Sequence, residues 1–312
     1  MEISPYLAKD IIEVAEPMRS EYGERSGRVV LNQMIMGMGK LTEADYDYLG
    51  RFLKDHSGLV LGLDRIGLLE NRLVPVMSRF GFCSLSDVVQ CLRGGRDYSL
   101  SQAVVEAMTV NETSFFRDRA PFFHLKNMML PELIAHRTDH RQLRIWSAAA
   151  ATGQEAYSVA MTLLDLSSAL INWKVDIIAT DLSSEVLERA RAGLYSQFEV
   201  QRGLPIQQLI KHFSKRDALW QISPRLRAMP LFQQFNLLED MAPLGQFDVI
   251  LCRNVLGYFD GPTSSDVTDR LAEQLASDGV LYVGETETVS GPVWVPVPGT
   301  RGIYRKAPPS ET

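Results

Sequence analysis

The sequence has 312 residues, 46% of them hydrophobic, enough to bury a sizeable core in one large domain or two smaller ones. A net charge of −6 argues against a broad nucleic-acid-binding face, and three cysteines (Cys83, Cys91, Cys252) without a CxxC pair suggest neither a disulfide framework nor a zinc site. The start of the chain lacks a signal peptide's basic-then-apolar order and no uncharged apolar run reaches the length of a bilayer span, so a cytoplasmic protein with buried, reduced thiols and no membrane insertion is expected.

Residues 1–40 have mixed character, with a helix expected from Tyr6 to Met18 and a Met/Gly-rich patch after it, and carry no assignable function. From Leu41 the pattern sharpens: Thr42 caps a helix with an acid close behind, and apolar residues recur at helical spacing up to His56-Ser57-Gly58. Residues 64–80 continue a helical stripe in which Pro75 is expected to kink or divide the helix. Arg65, Arg72 and Arg79 recur every seven residues along it, as a solvated face or a docking surface for an acidic partner. A short helix from Ser84 to Arg93 stops at Gly94-Gly95, so residues 41–105 read as a small helical domain with a joint at 94–101.

The next segment, AMTVNETSFFRD (107–118), mixes polar residues with a Phe pair. Asn111, Thr113 and Arg117 can reach one small polar ligand if it folds over a pocket; otherwise it is a capped turn with Phe115 and Phe116 in the core. His136 and His140 stand in a polar loop whose turn residues favour solvent exposure over a metal, so no metal is expected.

Residues 143–161, LRIWSAAAATGQEAYSVAM, read as strand, tight small-residue loop and helix. Such a loop lets backbone N–H groups and the positive end of the helix dipole approach a nucleotide-like ligand closely. No Walker or strict dinucleotide glycine pattern is present. The next strand, WKVDIIATD, ends in Asp181, an acid where doubly wound sheets read ribose hydroxyls. The loop holds no cation to meet a pyrophosphate, which favours an adenosine ligand without phosphates; S-adenosylmethionine fits best.

After a capped helix from Ser183 to Arg191, residues 192–229 interrupt the alternation for too long to be a bare loop. They are expected to form an inserted subdomain with a helix and a β-ribbon. Strands resume at Pro230–Phe235 and Phe247–Cys252, a helix follows from Ser265 to Ala276, then a strand over Gly279–Glu285, and the chain closes in an antiparallel hairpin. The Asn/Asp-Pro-Pro-aromatic element of methyltransferases that act on base amino groups is missing after Cys252.

Taken in order, NETSFFRD, IWSAAAATGQEAYS, ATDLSSEVLERARAGLY, FNLL and FDVILCRNVLGYFD resemble the CheR-type chemoreceptor glutamate methyltransferases over roughly residues 41 to 306. The resemblance implies a small N-terminal helical docking domain (41–105) and a doubly wound, seven-stranded Rossmann-like α/β methyltransferase domain (106–312) with its insert at 192–229. It also implies S-adenosylmethionine as cofactor, glutamate carboxylates on the cytoplasmic helical bundle of a methyl-accepting chemotaxis receptor as acceptors, and a monomer.

Carried over by motif, Asn111, Thr113, Arg117, Glu155, Asp181, Asn236, Leu237, Arg253 and Asn254 are the implied cofactor contacts, with Arg117 and Tyr258 at the methyl-transfer site. Departures from the family are Ala156 for a common Pro and Gly257 for a larger aliphatic residue, both expected beside the pocket, and Pro75, Val76 and Ser78 in place of basic residues on the docking helix. The eroded basic face supports an alternative, a cofactor-binding but weakly catalytic signalling or scaffold protein of the same fold.

Overall fold

The computed structural model describes residues 41–62, 66–95 and 97–308. The expectations for residues 1–40 and for Arg65 lie outside the described residues. Contacts divide the chain into two units, one drawing its described residues from 41–49 and 63–107, the other from 50–62 and 108–312.

Helix α1 (Glu43–Ser57) supplies residues to both units. In the first unit it is joined by α2 (Ile66–Phe80), α3 (Leu85–Arg93) and α4 (Tyr98–Met108). Burial of Leu69, Leu73, Val76 and Met77 on α2 and of Leu85, Val88, Val89 and Leu92 on α3 follows the helical period that the sequence displays. Ser84 caps α3 by accepting from the Asp87 N–H. Of the two outcomes expected at Pro75, a kink or a division, helix α2 is not divided: the ring removes one N–H from the ladder, but Asn71, whose carbonyl loses it, lies with Pro75 on the exposed side, where water can take the carbonyl. The expected joint at 94–101 already contains the start of α4. The cysteines also differ from expectation, since Cys252 is buried but Cys83 is exposed.

The second unit is built on a seven-stranded sheet. Its strands are β1 (Gln142–Ala148), β2 (Lys174–Asp181), β6 (Pro230–Gln234), β7 (Phe247–Cys252), β8 (Leu275–Tyr282), β9 (Trp294–Pro296) and β10 (Ile303–Lys306), in the order β6-β2-β1-β7-β8-β10-β9. The first five run parallel and the closing hairpin is antiparallel. All six residues of β7 are buried, as in a central parallel strand covered on both faces; five are apolar, and the sixth, Asp248, pairs with Arg137 and accepts the Arg144 N–H at 2.6 Å. Alternate side chains feed two cores. Leu143, Ile145, Val249 and Leu251 pack with helix α7 (Gln154–Asp165) through Tyr157, Ala160 and Met161, whereas Trp146, Ala148, Ile250 and Cys252 pack with α12 (Gly261–Gln274) through Val267 and Leu271. Helices on both faces make the sheet doubly wound.

The insert between helix α8 (Ser184–Ala192) and β6 contains a three-stranded antiparallel sheet, in which β5 (Leu219–Ile222) lies between β3 (Leu194–Ser196) and β4 (Phe213–Arg216), together with three short helices. The expected ribbon is there; the third strand, too short to show a period, is not legible in the sequence. Residues 120–136, for which the sequence offers no helix, are helical throughout, with a π-helical turn at Leu125–Met129. Among the described residues no helix is long and apolar enough to cross a membrane, and no cluster of His, Cys, Asp or Glu is arranged to hold a metal ion.

Candidate active site

In the strand order the chain moves from β1 outward through β2 to β6, then returns to β7 on the other side of β1. A ligand crevice is expected where the order reverses, beyond the carboxyl ends of the strands. A cleft lies there, with an empty volume of ≈ 950 Å³ counted out to its open mouth. All ten residues singled out from the sequence line it: Asn111, Thr113, Arg117, Glu155, Asp181, Asn236, Leu237, Arg253, Asn254 and Tyr258.

The floor is the loop between β1 and α7. Ala149 (φ 63°), Ala151 (φ 48°) and Gly153 (φ 91°) are all left-handed, a conformation that costs a non-glycine residue about 1 kcal/mol or more. Three bonds hold it: Ala150 N–H to the Thr180 carbonyl at 2.8 Å, Ala151 N–H to Asp181 Oδ2 at 2.9 Å, and the Tyr195 hydroxyl to the Thr152 carbonyl at 2.9 Å. At Gly153 a Cβ would sit 2.9 Å from that of Ala190, so only glycine fits there. Ala149 and Ala151 line the cleft with nothing larger than a methyl group, leaving room for a planar ligand.

Asp181, buried at the end of β2, also accepts the Ser183 N–H on Oδ1 at 3.0 Å. Each carboxylate oxygen thus carries one of these N–H groups, and the residue stands on the cleft lining. The donor set therefore fits a nucleoside: a carboxylate at the second strand, a methyl-lined floor and a helix N-terminus, with no lysine among the described residues of the lining.

Glu155 and Arg253 form a buried pair beneath the cleft. Arg253 Nη1 donates to Glu155 Oε2 at 2.9 Å, and Ser147 Oγ donates to Glu155 Oε1 at 2.8 Å. The other end of the Arg253 fork donates to the Arg117 carbonyl at 2.8 Å and to Asp118 Oδ2 at 2.7 Å. Burial pushes the Glu155 carboxyl up, against the opposing pull of Arg253 and the Ser147 hydroxyl. The resemblance implies Glu155 and Arg253 as cofactor contacts; in the structure they tie the 117–118 turn to the sheet.

That turn is strained as well, with Phe116, Asp118 and Arg119 at positive φ. The Phe pair anchors it. Phe115 is fully buried edge-on to Tyr195 and Phe213, and the Phe116 N–H donates to Ser158 Oγ at 2.9 Å. The two readings of NETSFFRD are compatible in position: Phe115 is core with Phe116 packed partly buried against it, and Asn111, Thr113 and Arg117 line the cleft. Arg117 Nη1 donates to the Glu112 carbonyl at 2.7 Å.

Residues 50–62, expected in the helical domain, belong with this unit because their polar groups bond into it. Asn236 Nδ2 donates to the His56 carbonyl at 2.7 Å, Val60 N–H to the Tyr258 carbonyl at 3.0 Å, and Lys54 pairs with Asp260 at 2.6 Å. Ser57 and Leu59 thereby reach the cleft, which nothing in their sequence context signals. Hydrogen bonding from Lys54, then from Thr263, holds the Asp260 carboxyl down at about 2. Ala156 and Gly257 are not on the lining themselves but adjoin lining residues in the chain, Glu155 and Tyr258; Ala156 is buried in the core and Gly257 is exposed.

The profile described as CheR methyltransferase, SAM binding domain, matches residues 111–297. The chemotaxis protein methyltransferase of Vibrio parahaemolyticus is 38% identical over 259 residues, covering 81% of this chain and 93% of that protein. Chemotaxis protein methyltransferase 1 of Pseudomonas aeruginosa is 39% identical over 79% of this chain and 91% of its own length. The chemotaxis protein methyltransferase of Salmonella typhimurium is 35% identical over 84% and 89%.

Proposed function

The chain belongs to the CheR methyltransferase family, with an S-adenosylmethionine-binding domain, and from that premise we propose that it methylates glutamate side chains of a methyl-accepting chemotaxis receptor, giving glutamate methyl esters. The observation that carries the proposal is the convergence on one cleft of the residues fitted to a nucleoside with Arg117 and Tyr258, the groups suited to a carboxylate acceptor.

Asp181 holds ribose hydroxyls, and Asn111, Thr113, Asn236, Leu237 and Asn254 complete the cofactor's surroundings. When bound, S-adenosylmethionine supplies a methyl carbon made electrophilic by its sulfonium sulfur. A glutamate side chain has a pKa of about 4.3 and is ionised at neutral pH, so the acceptor needs no general base. What the chain contributes is alignment and exclusion of water. Among the described residues the lining cations are Arg117 and Arg253. The charge of Arg253 is matched by Glu155 and Asp118, so an entering carboxylate finds its complement at Arg117, and the Tyr258 hydroxyl adds an ordinary hydrogen bond. Methylation neutralises the acceptor, which weakens its hold on Arg117 and favours release.

The receptor is the acceptor best supported, since the relatives that span most of the chain are chemotaxis methyltransferases. The test is to incubate the protein with methyl-labelled S-adenosylmethionine and the cytoplasmic fragment of a receptor from its source, then treat the product with mild base. Label released as methanol supports an ester; base-stable label, or none, defeats the glutamate reading.

A further inference from the structure

The turn after β7 carries Asn254 and Tyr258, and its shape is held by a residue outside the cleft lining. Glu287 Oε2 accepts the N–H groups of Asn254 and Gly284, each at 2.7 Å, and Oε1 accepts the N–H of Gly257 at 3.1 Å. One half-buried carboxylate therefore satisfies three main-chain donors, two of them in the turn. Parallel pairing of β7 with β8 makes this possible, because it brings the two carboxyl ends side by side, and the chain leaving β8 folds back so that the Glu287 N–H bonds the Gly284 carbonyl at 2.9 Å.

The packing is closed around this carboxylate. A Cβ on Gly284 would sit 2.7 Å from Glu287 Oε2 and 2.7 Å from Asn254 Nδ2. Asn254 itself is left-handed at φ 59°, a conformation that needs external support. Without an acceptor there, the three N–H groups would turn toward water and the turn would lose the geometry that aims Asn254 and Tyr258 into the cleft.

We propose that Glu287 is a positioning residue of the active site, whose carboxylate sets the 254–258 turn and so places Asn254 for the cofactor and Tyr258 for the acceptor. This rests on the methyltransferase reading of the same cleft. Glu287→Gln keeps the shape but replaces one accepting oxygen with an NH2 group, which must face an N–H donor. Glu287→Asp keeps the charge on a shorter stem.

The experiment measures amide hydrogen exchange, S-adenosylhomocysteine affinity and turnover on the full chain. For Glu287→Gln the amides of Asn254, Gly257 and Gly284 are expected to exchange at least roughly tenfold faster while those of β7 keep their protection, with affinity for S-adenosylhomocysteine reduced severalfold. Turnover is expected to fall roughly tenfold or more, Glu287→Asp to recover part of each effect, and Tyr258→Phe to cost little when added to Glu287→Gln. Unchanged exchange at the three amides, unchanged affinity and turnover, or full additivity with Tyr258→Phe overturns the proposal. If the wild type forms no ester on any receptor, the glutamate reading fails alone, and exchange and affinity still decide the role of Glu287.

Discussion

Arg253 and Glu155 meet at 2.9 Å with side-chain exposures of 1% and 12%, and the same guanidinium reaches Asp118 on the turn that carries Arg117. Removing one partner of such a pair leaves a charge buried without compensation, which typically costs about 3–5 kcal/mol. Arg253→Ala is expected to lower stability by about that amount, with the 117–118 turn loosened. Chemical denaturation measures it. A loss below about 1 kcal/mol would mean that water replaces the guanidinium easily and that the pair does not brace the site.

Asp181→Asn should separate cofactor binding from folding. The amide keeps one accepting oxygen, for the Ala151 N–H of the loop, but turns its NH2 toward the Ser183 N–H and gives up the charged acceptor; a hydrogen bond to a charged group contributes about 1.5–3 kcal/mol. Affinity for S-adenosylmethionine and for S-adenosylhomocysteine is expected to fall together, by roughly tenfold or more. Calorimetry giving wild-type affinities in a folded variant would remove Asp181 from the site.

Arg117→Ala and Tyr258→Phe are expected to lower turnover more than cofactor affinity, because their proposed partner is the acceptor carboxylate. Parallel loss of S-adenosylhomocysteine binding would give both a purely binding role. A wild type that binds cofactor and receptor yet forms no ester would favour the scaffold alternative.

Because α2 runs unbroken through Pro75, Arg72 and Arg79 stay about two turns apart on nearly the same side of one helix. If that face meets an acidic receptor helix, Arg72→Glu with Arg79→Glu should raise the apparent KM for receptor and flatten its salt dependence, with turnover at saturation unchanged. Methyl-ester formation against receptor concentration at two ionic strengths decides it. Superimposable curves for variant and wild type would leave these arginines as solvated surface.

Stability should decline in mild acid. His124 is buried with Nδ1 2.8 Å from the Tyr282 hydroxyl, and burial, then repulsion from Arg305, depresses its pKa; His212 is depressed by burial, then by Lys211. The unfolded chain takes up these protons near pH ~6.5 while the folded one resists, so the contribution is intact above that pH and is lost as pH falls below it. His124→Gln is expected to flatten the decline between about pH 6.5 and 5. Denaturation midpoints that fall equally steeply in variant and wild type would assign the decline to other groups.

Local chemistry was enough to read most elements of this protein. Apolar patterns at helical spacing and in short runs, the Thr42 and Ser183 caps, the small-residue loop at 149–153 and the acid ending β2 are properties of neighbours in the chain, so the alternation of strands and helices and the place of the candidate nucleoside site follow from them. Tertiary structure decided what depends on residues far apart. Whether residues 50–62 reach the cleft rests on bonds from His56 and Val60 to Asn236 and Tyr258 some 180 or more positions on, and the Arg253 clamp joins three segments by its fork. Glu287 illustrates the physical reason most plainly. An isolated acid after a strand looks like solvated surface until parallel pairing of β7 with β8 brings the Asn254 and Gly257 N–H groups within bonding distance of its carboxylate.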